Sequence, residues 1–232
     1  MQLIAMHGWC GDSRSWDPWL PVWQGRGWRC SCGDRGYGQR AAVEPRWADG
    51  PGPRVVIAHS LGPHLLPATV LQQADALVLL TSFAQFVPAG RDGRSLRAAL
   101  DGMARELRGA DPGGMLQAFL QQVAAPSAPA LLQATPAAEP LSATGLRQLQ
   151  EDLDLLARTE GLPEGFPTGA AILLVQAGAD RIVAPQTRVA LEDALPGADV
   201  LTLRGAGHAL LGTPVMAMVM AWLEQLQTLE RP

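Results

Sequence analysis

Short runs of apolar residues recur along the chain, and the segments between them repeat apolar residues every three or four positions. The runs are apolar throughout rather than alternating, which is typical of strands in a parallel sheet covered on both faces. They predict six strands: Leu3–Met6, Trp28–Cys32, Arg54–Ala58, Ala76–Thr81, Ala171–Gln176 and Asp199–Leu203. Helices are predicted at Ser15–Gln24, Leu61–Gln73, Pro185–Leu195 and Pro214–Leu229. This alternation predicts an α/β fold with a mostly parallel sheet flanked by helices.

The segment between the fourth and fifth strands breaks this rhythm, because it has helical periodicity and no convincing strand. Its predicted helices begin at Ser95, at Asp111-Pro112 and at Ser142, and the last is stopped by Gly161. The Ala- and Pro-rich stretch Ala124–Pro140 is predicted to be an irregular connector. We therefore expect a core made of residues 1–81 and 169–232, with residues 82–168 inserted as a helical lid over the carboxyl end of the sheet.

The segment Ala58-His59-Ser60-Leu61-Gly62 joins a strong strand to a predicted helix. It differs from G-x-S-x-G, the nucleophile elbow, by one methyl group at Ala58. In that turn the serine stands above the sheet at a helix N-terminus, where backbone N–H groups and the helix dipole favour developing negative charge. Ser60 is thus predicted to be a nucleophile, the alternative being an ordinary strand-turn-helix.

A nucleophilic serine needs a base, and the base needs an acid that orients it. Asp180 follows the fifth strand and His208 follows the sixth, in the order Ser, Asp, His of this kind of elbow. All three residues fall at the carboxyl end of the sheet, where open α/β sheets bind ligands. The oxyanion hole is expected to use the backbone N–H groups of Leu61 and Trp9.

Composition narrows the functional class. The chain has 232 residues and a net charge of −4, and all 18 of its basic residues are arginine, so a general nucleic-acid binder is disfavoured. No apolar run is long enough to span a bilayer, the start lacks a basic region, and the three cysteines suggest no disulfide framework. We expect a cytoplasmic protein without membrane contact. No metal-ligand spacing, P-loop or dinucleotide fingerprint is found, so we expect neither a metal nor a cofactor.

These motifs together resemble the α/β-hydrolase superfamily. The likeness extends over His7-Gly8-Trp9, Asp34-x-Gly36-x-Gly38, the Ser60 segment, Asp180 and Gly207-His208. Within that superfamily the chain is similar to the pimeloyl-[acyl-carrier-protein] methyl ester esterases of biotin synthesis. The similar pieces are His7-Gly8-Trp9 with Trp16, Ser60-Leu61-Gly62, Phe119-Leu120 and Asp180-x-x-Val183-x-Pro185. The chain departs from the family at Ala58 and Pro63 and has no basic cluster late in the lid.

The resemblance implies a serine carboxylesterase that cleaves the methyl ester of a pimeloyl chain held on an acyl carrier protein, through an acyl-enzyme. It also implies that Phe119 and Leu120 line an acyl tunnel, and Trp9 is expected to form a wall of that pocket. We expect a monomer. A general short-chain carboxylesterase, a lyase similar to the hydrolase-fold enzymes of the menaquinone pathway, and a non-catalytic ligand-binding protein of the same fold remain as alternatives.

Five arginines gather early in the predicted lid: Arg91, Arg94, Arg97, Arg105 and Arg108. Asp101 lies four residues from Arg97 and from Arg105, so part of this charge is expected to be neutralised along one helix face. A solvated helix face would account for the pattern. The functional alternative is that Arg94, Arg97 and Arg105 form a docking patch for an acidic carrier protein.

Overall fold

A computed structural model describes residues 1–132 and 135–229, with only the backbone described for residue 92 and residues 227–229. In this part of the chain all six predicted strands form, each end within one residue of its predicted position. They are β1 (Gln2–Met6), β2 (Arg29–Cys32), β3 (Arg54–His59), β4 (Ala76–Leu80), β5 (Ala171–Ala177) and β6 (Asp199–Leu203). The strands form one sheet in the order β2-β1-β3-β4-β5-β6, and each neighbouring pair is parallel.

Successive side chains of each strand point to opposite faces of the sheet, and both faces are buried. Leu3 on β1 packs on one face with α1 (Leu20–Gln24) and α7 (Val215–Leu229). Its neighbour Ile4 packs on the other face with α2 (Ala68–Leu71) and α6 (Pro185–Ala194). Two apolar layers therefore sandwich the sheet, as the continuous apolar runs predict.

Three helices occupy the segment between β4 and β5: α3 (Gly90–Leu107), α4 (Pro112–Ala124) and α5 (Ala143–Arg158). Their buried side chains pack on Trp9, Leu61 and Phe83, which follow β1, β3 and β4. These helices thus cover the carboxyl ends of the strands. The connector between α4 and α5 contains the single turns Pro129–Leu131 and Pro136–Ala138. The division into a core and a lid of residues 82–168 stays a prediction.

Two predicted helices are broken by proline. The segment predicted as Leu61–Gln73 forms a 3₁₀ turn, Gly62–Leu65, followed by α2, because Pro67 forces Leu66 into an extended conformation (ψ 144°). The segment predicted as Ser15–Gln24 divides into a 3₁₀ turn, Ser13–Trp16, and α1, whose first turn contains Pro21.

Helix boundaries in the inserted segment were predicted correctly where a side chain caps the helix. Asp111 accepts a hydrogen bond from the Gly114 N–H, and Ser142 accepts one from the Gly145 N–H. Ser95 is not a cap: α3 begins five residues earlier, at Gly90, so Ser95 lies inside the helix. The helix α5 ends at Arg158, before Gly161. Among the described residues, no helix has the length and apolar character needed to cross a membrane.

Candidate active site

Ser60 occupies a sharp turn at the carboxyl end of β3. Its φ angle is +56°, a left-handed conformation that is strained for a residue with a side chain. The turn is crowded: a Cβ added to Gly62 would meet the Met6 carbonyl oxygen at 2.6 Å, and one added to Gly8 would meet the Ser60 Cβ at 2.8 Å. Ala58 is fully buried in the apolar layer on one face of the sheet, which accommodates its extra methyl group. The segment therefore has the geometry expected of a nucleophile elbow.

The helix that follows Ser60 is shorter than the sequence predicts. The 3₁₀ turn Gly62–Leu65 contains four residues, and Pro63 lies in its first turn. The predicted continuous helix Leu61–Gln73 is therefore wrong at this point, and a single turn has little aligned dipole. Of the two contributions that the sequence predicts at Ser60, the helix dipole and the free N–H groups, the short turn leaves mainly the N–H groups.

Asp180 and His208 lie next to each other, as predicted from their positions after β5 and β6. The Nδ1 atom of His208 is 2.9 Å from an Asp180 Oδ, and both side chains are buried. Burial opposes ionisation of Asp180, but His208 and the N–H groups of Ile182 and Val183 outweigh it and lower the pKa of Asp180. The carboxylate is therefore charged and holds His208 with its Nδ1–H toward Asp180, leaving Nε2 for chemistry.

His208 lies at the same edge of the sheet as Ser60. The His208 carbonyl accepts hydrogen bonds from His59 Nε2 at 3.0 Å and from the Thr81 hydroxyl at 2.9 Å. The ring centroids of His59 and His208 are 4.9 Å apart. In the described part of the chain the Ser60 hydroxyl makes no hydrogen bond to His208. Bonds between a nucleophile and its base are often long before substrate binds.

The loop after β1, which carries the predicted oxyanion-hole residue Trp9, is fixed by several hydrogen bonds. The Gly8 carbonyl accepts hydrogen bonds from His7 Nδ1 at 2.7 Å and from the Gly11 N–H at 3.1 Å. The indole N–H of Trp9 donates to the Leu149 carbonyl of α5 at 2.9 Å. The backbone N–H groups of Trp9 and Leu61 donate to no backbone carbonyl in the described part of the chain. Both remain available to a substrate oxygen.

The rings of the other three histidines bond backbone carbonyl groups. Burial and, to a smaller extent, the neighbouring His208 together lower the pKa of His59 to about 3, so His59 is a neutral donor. Burial also lowers the pKa of His7 and of His64, and their rings bond the Gly8 and Phe83 carbonyls. Among the described residues, no group of three or more histidine, cysteine or acidic side chains could hold a metal ion.

A cavity of about 440 Å³ opens beside Ser60, between the end of the sheet and the inserted helices. Its walls are mostly apolar and include two of the predicted substrate-binding residues, Trp9 and Phe119. Their rings meet edge to face with centroids 4.8 Å apart. The remaining lining comes mainly from α3, α4 and α5: Leu96, Ala99, Leu100, Met103, Met115, Ala118 and Leu156. The volume falls in the range of small-molecule sites.

Leu120 does not line this cavity. It lines a second cavity of about 310 Å³, together with Trp9, His59 and Leu210. Adjacent residues of a helix point about 100° apart, so Phe119 and Leu120 face different spaces. Sequence reasoning also missed Gln122, Arg181 and Glu106, which give the Ser60 cavity a polar margin.

The three arginines of the predicted docking patch, Arg94, Arg97 and Arg105, lie exposed on α3. The ion pairs expected between Asp101 and Arg97 or Arg105 do not form: among described side chains none of these arginines lies within 4.0 Å of an acidic oxygen. The charge on this surface is therefore less neutralised than the sequence indicates. The same helix lines the Ser60 cavity through Leu96 and Met103.

Comparisons with known proteins identify the fold. No family model matches the chain, and no curated protein matches its sequence. Solved structures do: an esterase from Exiguobacterium antarcticum (17% identity, TM-score 0.71) covers 98% of this chain and 91% of its own. A thermophilic esterase from Thermogutta terrifontis is 16% identical to this chain, with a TM-score of 0.69, and the match covers 97% of this chain and 90% of that esterase. The enol-lactonase from Burkholderia xenovorans is 14% identical, with a TM-score of 0.69, and the match covers 97% of this chain and 91% of that enzyme. The chain therefore has the α/β-hydrolase fold.

Proposed function

We propose that this protein is a serine carboxylesterase with Ser60 as nucleophile, His208 as general base and Asp180 as the acid that orients the base. The observation that carries the proposal is the convergence of a strained serine turn, a buried Asp–His pair and an apolar cavity at one edge of the sheet. The names of the similar structures, two esterases and an enol-lactonase, support hydrolysis of an ester bond.

In the proposed reaction the Ser60 Oγ attacks the ester carbonyl while His208 Nε2 accepts the hydroxyl proton. The negative oxygen of the tetrahedral intermediate accepts hydrogen bonds from the Trp9 and Leu61 N–H groups. His208 then gives its proton to the leaving alcohol, and an acyl-enzyme remains. Water, deprotonated by His208, cleaves the acyl-enzyme and restores Ser60. Asp180 stabilises the imidazolium formed in each half of the cycle.

A fluorophosphonate probe, which reacts with activated serines, tests this assignment. We expect one label on the wild-type protein, located by peptide mass spectrometry at Ser60. Ser60→Ala should prevent labelling and lower the turnover of a p-nitrophenyl ester by roughly 10⁴-fold or more. Ser95→Ala, which changes an exposed serine on α3, is the matched control and should leave both unchanged. A folded wild-type protein that is not labelled would leave the non-catalytic ligand-binding alternative.

For the substrate we propose the methyl ester of a pimeloyl chain carried on an acyl carrier protein. The support is the sequence resemblance, an apolar cavity lined by Trp9 and Phe119, and the placement of α3. One side of α3 lines the cavity, and the helix also carries exposed arginines that could attract an acidic carrier. An extended acyl chain would then reach Ser60 while its carrier rests on the arginine surface.

Growth of an esterase-deficient host without biotin tests the substrate, since only hydrolysis of this methyl ester should restore growth.

Reversing Arg94, Arg97 and Arg105 to glutamate tests carrier docking. It should slow hydrolysis of the carrier-bound ester by about 10-fold or more through slower encounter, and spare a small soluble ester. Arg147→Glu, an exposed arginine on α5, is the charge control. Equal loss on both esters would contradict carrier docking, and no rescue of growth would favour a general short-chain carboxylesterase.

A further inference from the structure

We infer that Thr81 and Ser82, the two residues after β4, are positioning residues that fix the nucleophile and the base relative to each other. The inference rests on the proposed function, because it assigns both residues roles toward Ser60 and His208. Both are buried, with exposed fractions of 3% and 4%. Neither side chain lines the cavity beside Ser60, so they act through the backbone of the catalytic residues.

Ser82 completes the hydrogen bonding of the Ser60 peptide groups. The Ser60 N–H donates to the Leu80 carbonyl at 2.9 Å, and the Ser82 hydroxyl donates to the Ser60 carbonyl at 2.7 Å. A helical turn would normally supply that carbonyl with an N–H from three or four residues later. Here residue 63 is a proline without an N–H, and the His64 N–H donates to Leu61. Ser82 therefore replaces the donor that Pro63 removes.

Thr81 holds the base in the same way. Its hydroxyl donates to the His208 carbonyl at 2.9 Å, beside the second bond from His59 Nε2 at 3.0 Å. The Thr81 N–H donates to the Val175 carbonyl at 2.8 Å, so its own backbone is anchored on β5. One dipeptide thus connects the loop that carries His208 to the turn that carries Ser60.

The backbone conformation of Thr81 indicates that this arrangement is specified rather than incidental. Its φ angle is +45°, which is rare for a β-branched residue. Such strain persists only where surrounding contacts over-determine it, and it concentrates at functional sites. In a relaxed, extended conformation Thr81 would direct its hydroxyl away from the His208 carbonyl.

The expected consequence is kinetic. Proton transfer from Ser60 to His208 depends on their separation, and a displacement of about 1 Å can cost about 10²-fold in rate. His59 retains one bond to His208 when Thr81 loses its hydroxyl, so Thr81→Val should lower kcat by about 10-fold. KM should stay within twofold, because the cavity is unchanged. Ser82→Ala should give the same pattern through Ser60.

Steady-state kinetics on a p-nitrophenyl ester, with melting temperatures, tests the inference. Thr81→Ser keeps the hydroxyl and should restore most of kcat. Thr187→Val is the matched control, because Thr187 is also buried and donates its hydroxyl to a backbone carbonyl, that of Phe86. Thr81→Val and Thr187→Val should lose similar stability, but only Thr81→Val should lose kcat.

The outcomes separate this inference from the proposed function. If the wild type is labelled at Ser60 but Thr81→Val and Ser82→Ala keep kcat within twofold, the positioning role is overturned and the esterase stands. If the wild type is neither labelled nor active, the proposed function fails and the positioning role with it. Should Thr81→Val not fold, Ser82→Ala and Thr81→Ser decide: the first must lose kcat and the second retain it.

Discussion

Replacing Asp152 by asparagine should lower the free energy of unfolding by about 3–4 kcal/mol, because Asp152 is the centre of a buried polar network. It lies on α5 with an exposed fraction of 2%. Its carboxylate accepts from Arg35 Nε at 2.7 Å and Nη2 at 2.6 Å, from the Tyr37 hydroxyl at 2.6 Å, and from Gln148 Nε2 at 3.2 Å. The network ties the inserted helix to the loop after β2.

The expected loss of unfolding free energy follows from the groups that lose their partner when Asp152 is replaced by asparagine. Asparagine has the size of aspartate, but its NH₂ group would face the Arg35 or Tyr37 donors, and the guanidinium would lose its counter-charge. Breaking a buried ion pair typically costs about 3–5 kcal/mol. The Arg35 side chain keeps 29% of its surface exposed, so water can solvate part of the freed charge, which favours the lower half of that range.

Urea and thermal unfolding measure the effect. For a domain of this size, 3–4 kcal/mol corresponds to a decrease in Tm of about 6–16 °C. Asp154→Asn, an exposed acid two residues further along α5, is the matched control and should stay within about 0.5 kcal/mol of the wild type. A loss below about 1 kcal/mol for Asp152→Asn would refute the reasoning, because the carboxylate would then contribute no more than a surface charge.

Two further predictions concern stability: its dependence on pH, and its loss when a side chain is added at a crowded glycine. Burial lowers the pKa of three histidines: His7, His59 and His64. The unfolded chain therefore takes up these protons first, and stability should fall as pH decreases below about 6.5, by up to about 1.4 kcal/mol per pH unit for each group. A Tm that stays constant between pH 7.5 and 5 would contradict this. Gly62→Ala should cost about 1–3 kcal/mol or more by chemical denaturation, because its Cβ meets a backbone oxygen at 2.6 Å, whereas Gly205→Ala, with open space, should be tolerated.

Local chemistry explains which parts of the fold could be predicted from the sequence. The strands were predictable because a parallel sheet buried on both faces demands continuous apolar runs. The starts of α4 and α5 were predictable because Asp111 and Ser142 cap N–H groups three residues away. The break at Pro67 was also visible in the sequence, since proline excludes helical conformation from the residue before it. The apolar periodicity of residues 61–73 continues across this proline, so periodicity alone predicts one helix where there are two short turns.

Other features depend on contacts between residues far apart in the chain. Arg35 and Asp152 are 117 residues apart, and no spacing rule connects them. Thr81 and Ser82 belong to no motif. Their only signal in the sequence is their position directly after β4, which lies between β3, the strand before Ser60, and β5, the strand before Asp180. Ser60, Asp180 and His208 could be proposed from the sequence because their order and loop positions follow a known motif, whereas the contacts of Thr81 and Ser82 follow none.

Backbone strain supports the location of the site without reference to similar structures. Among the described residues, the non-glycine residues with positive φ are Cys10, Ser60, Thr81 and Leu210. They follow β1, β3, β4 and β6, so all four lie at one edge of the sheet. Each such residue costs about 1–3 kcal/mol, against a total stability of about 5–15 kcal/mol for a typical domain. Glycine would relieve the strain at any of these positions, but at Ser60 it would remove the proposed nucleophile, and at Thr81 the hydroxyl that holds His208. At Ser60 and Thr81 the strain is therefore retained where the proposed function needs the side chain.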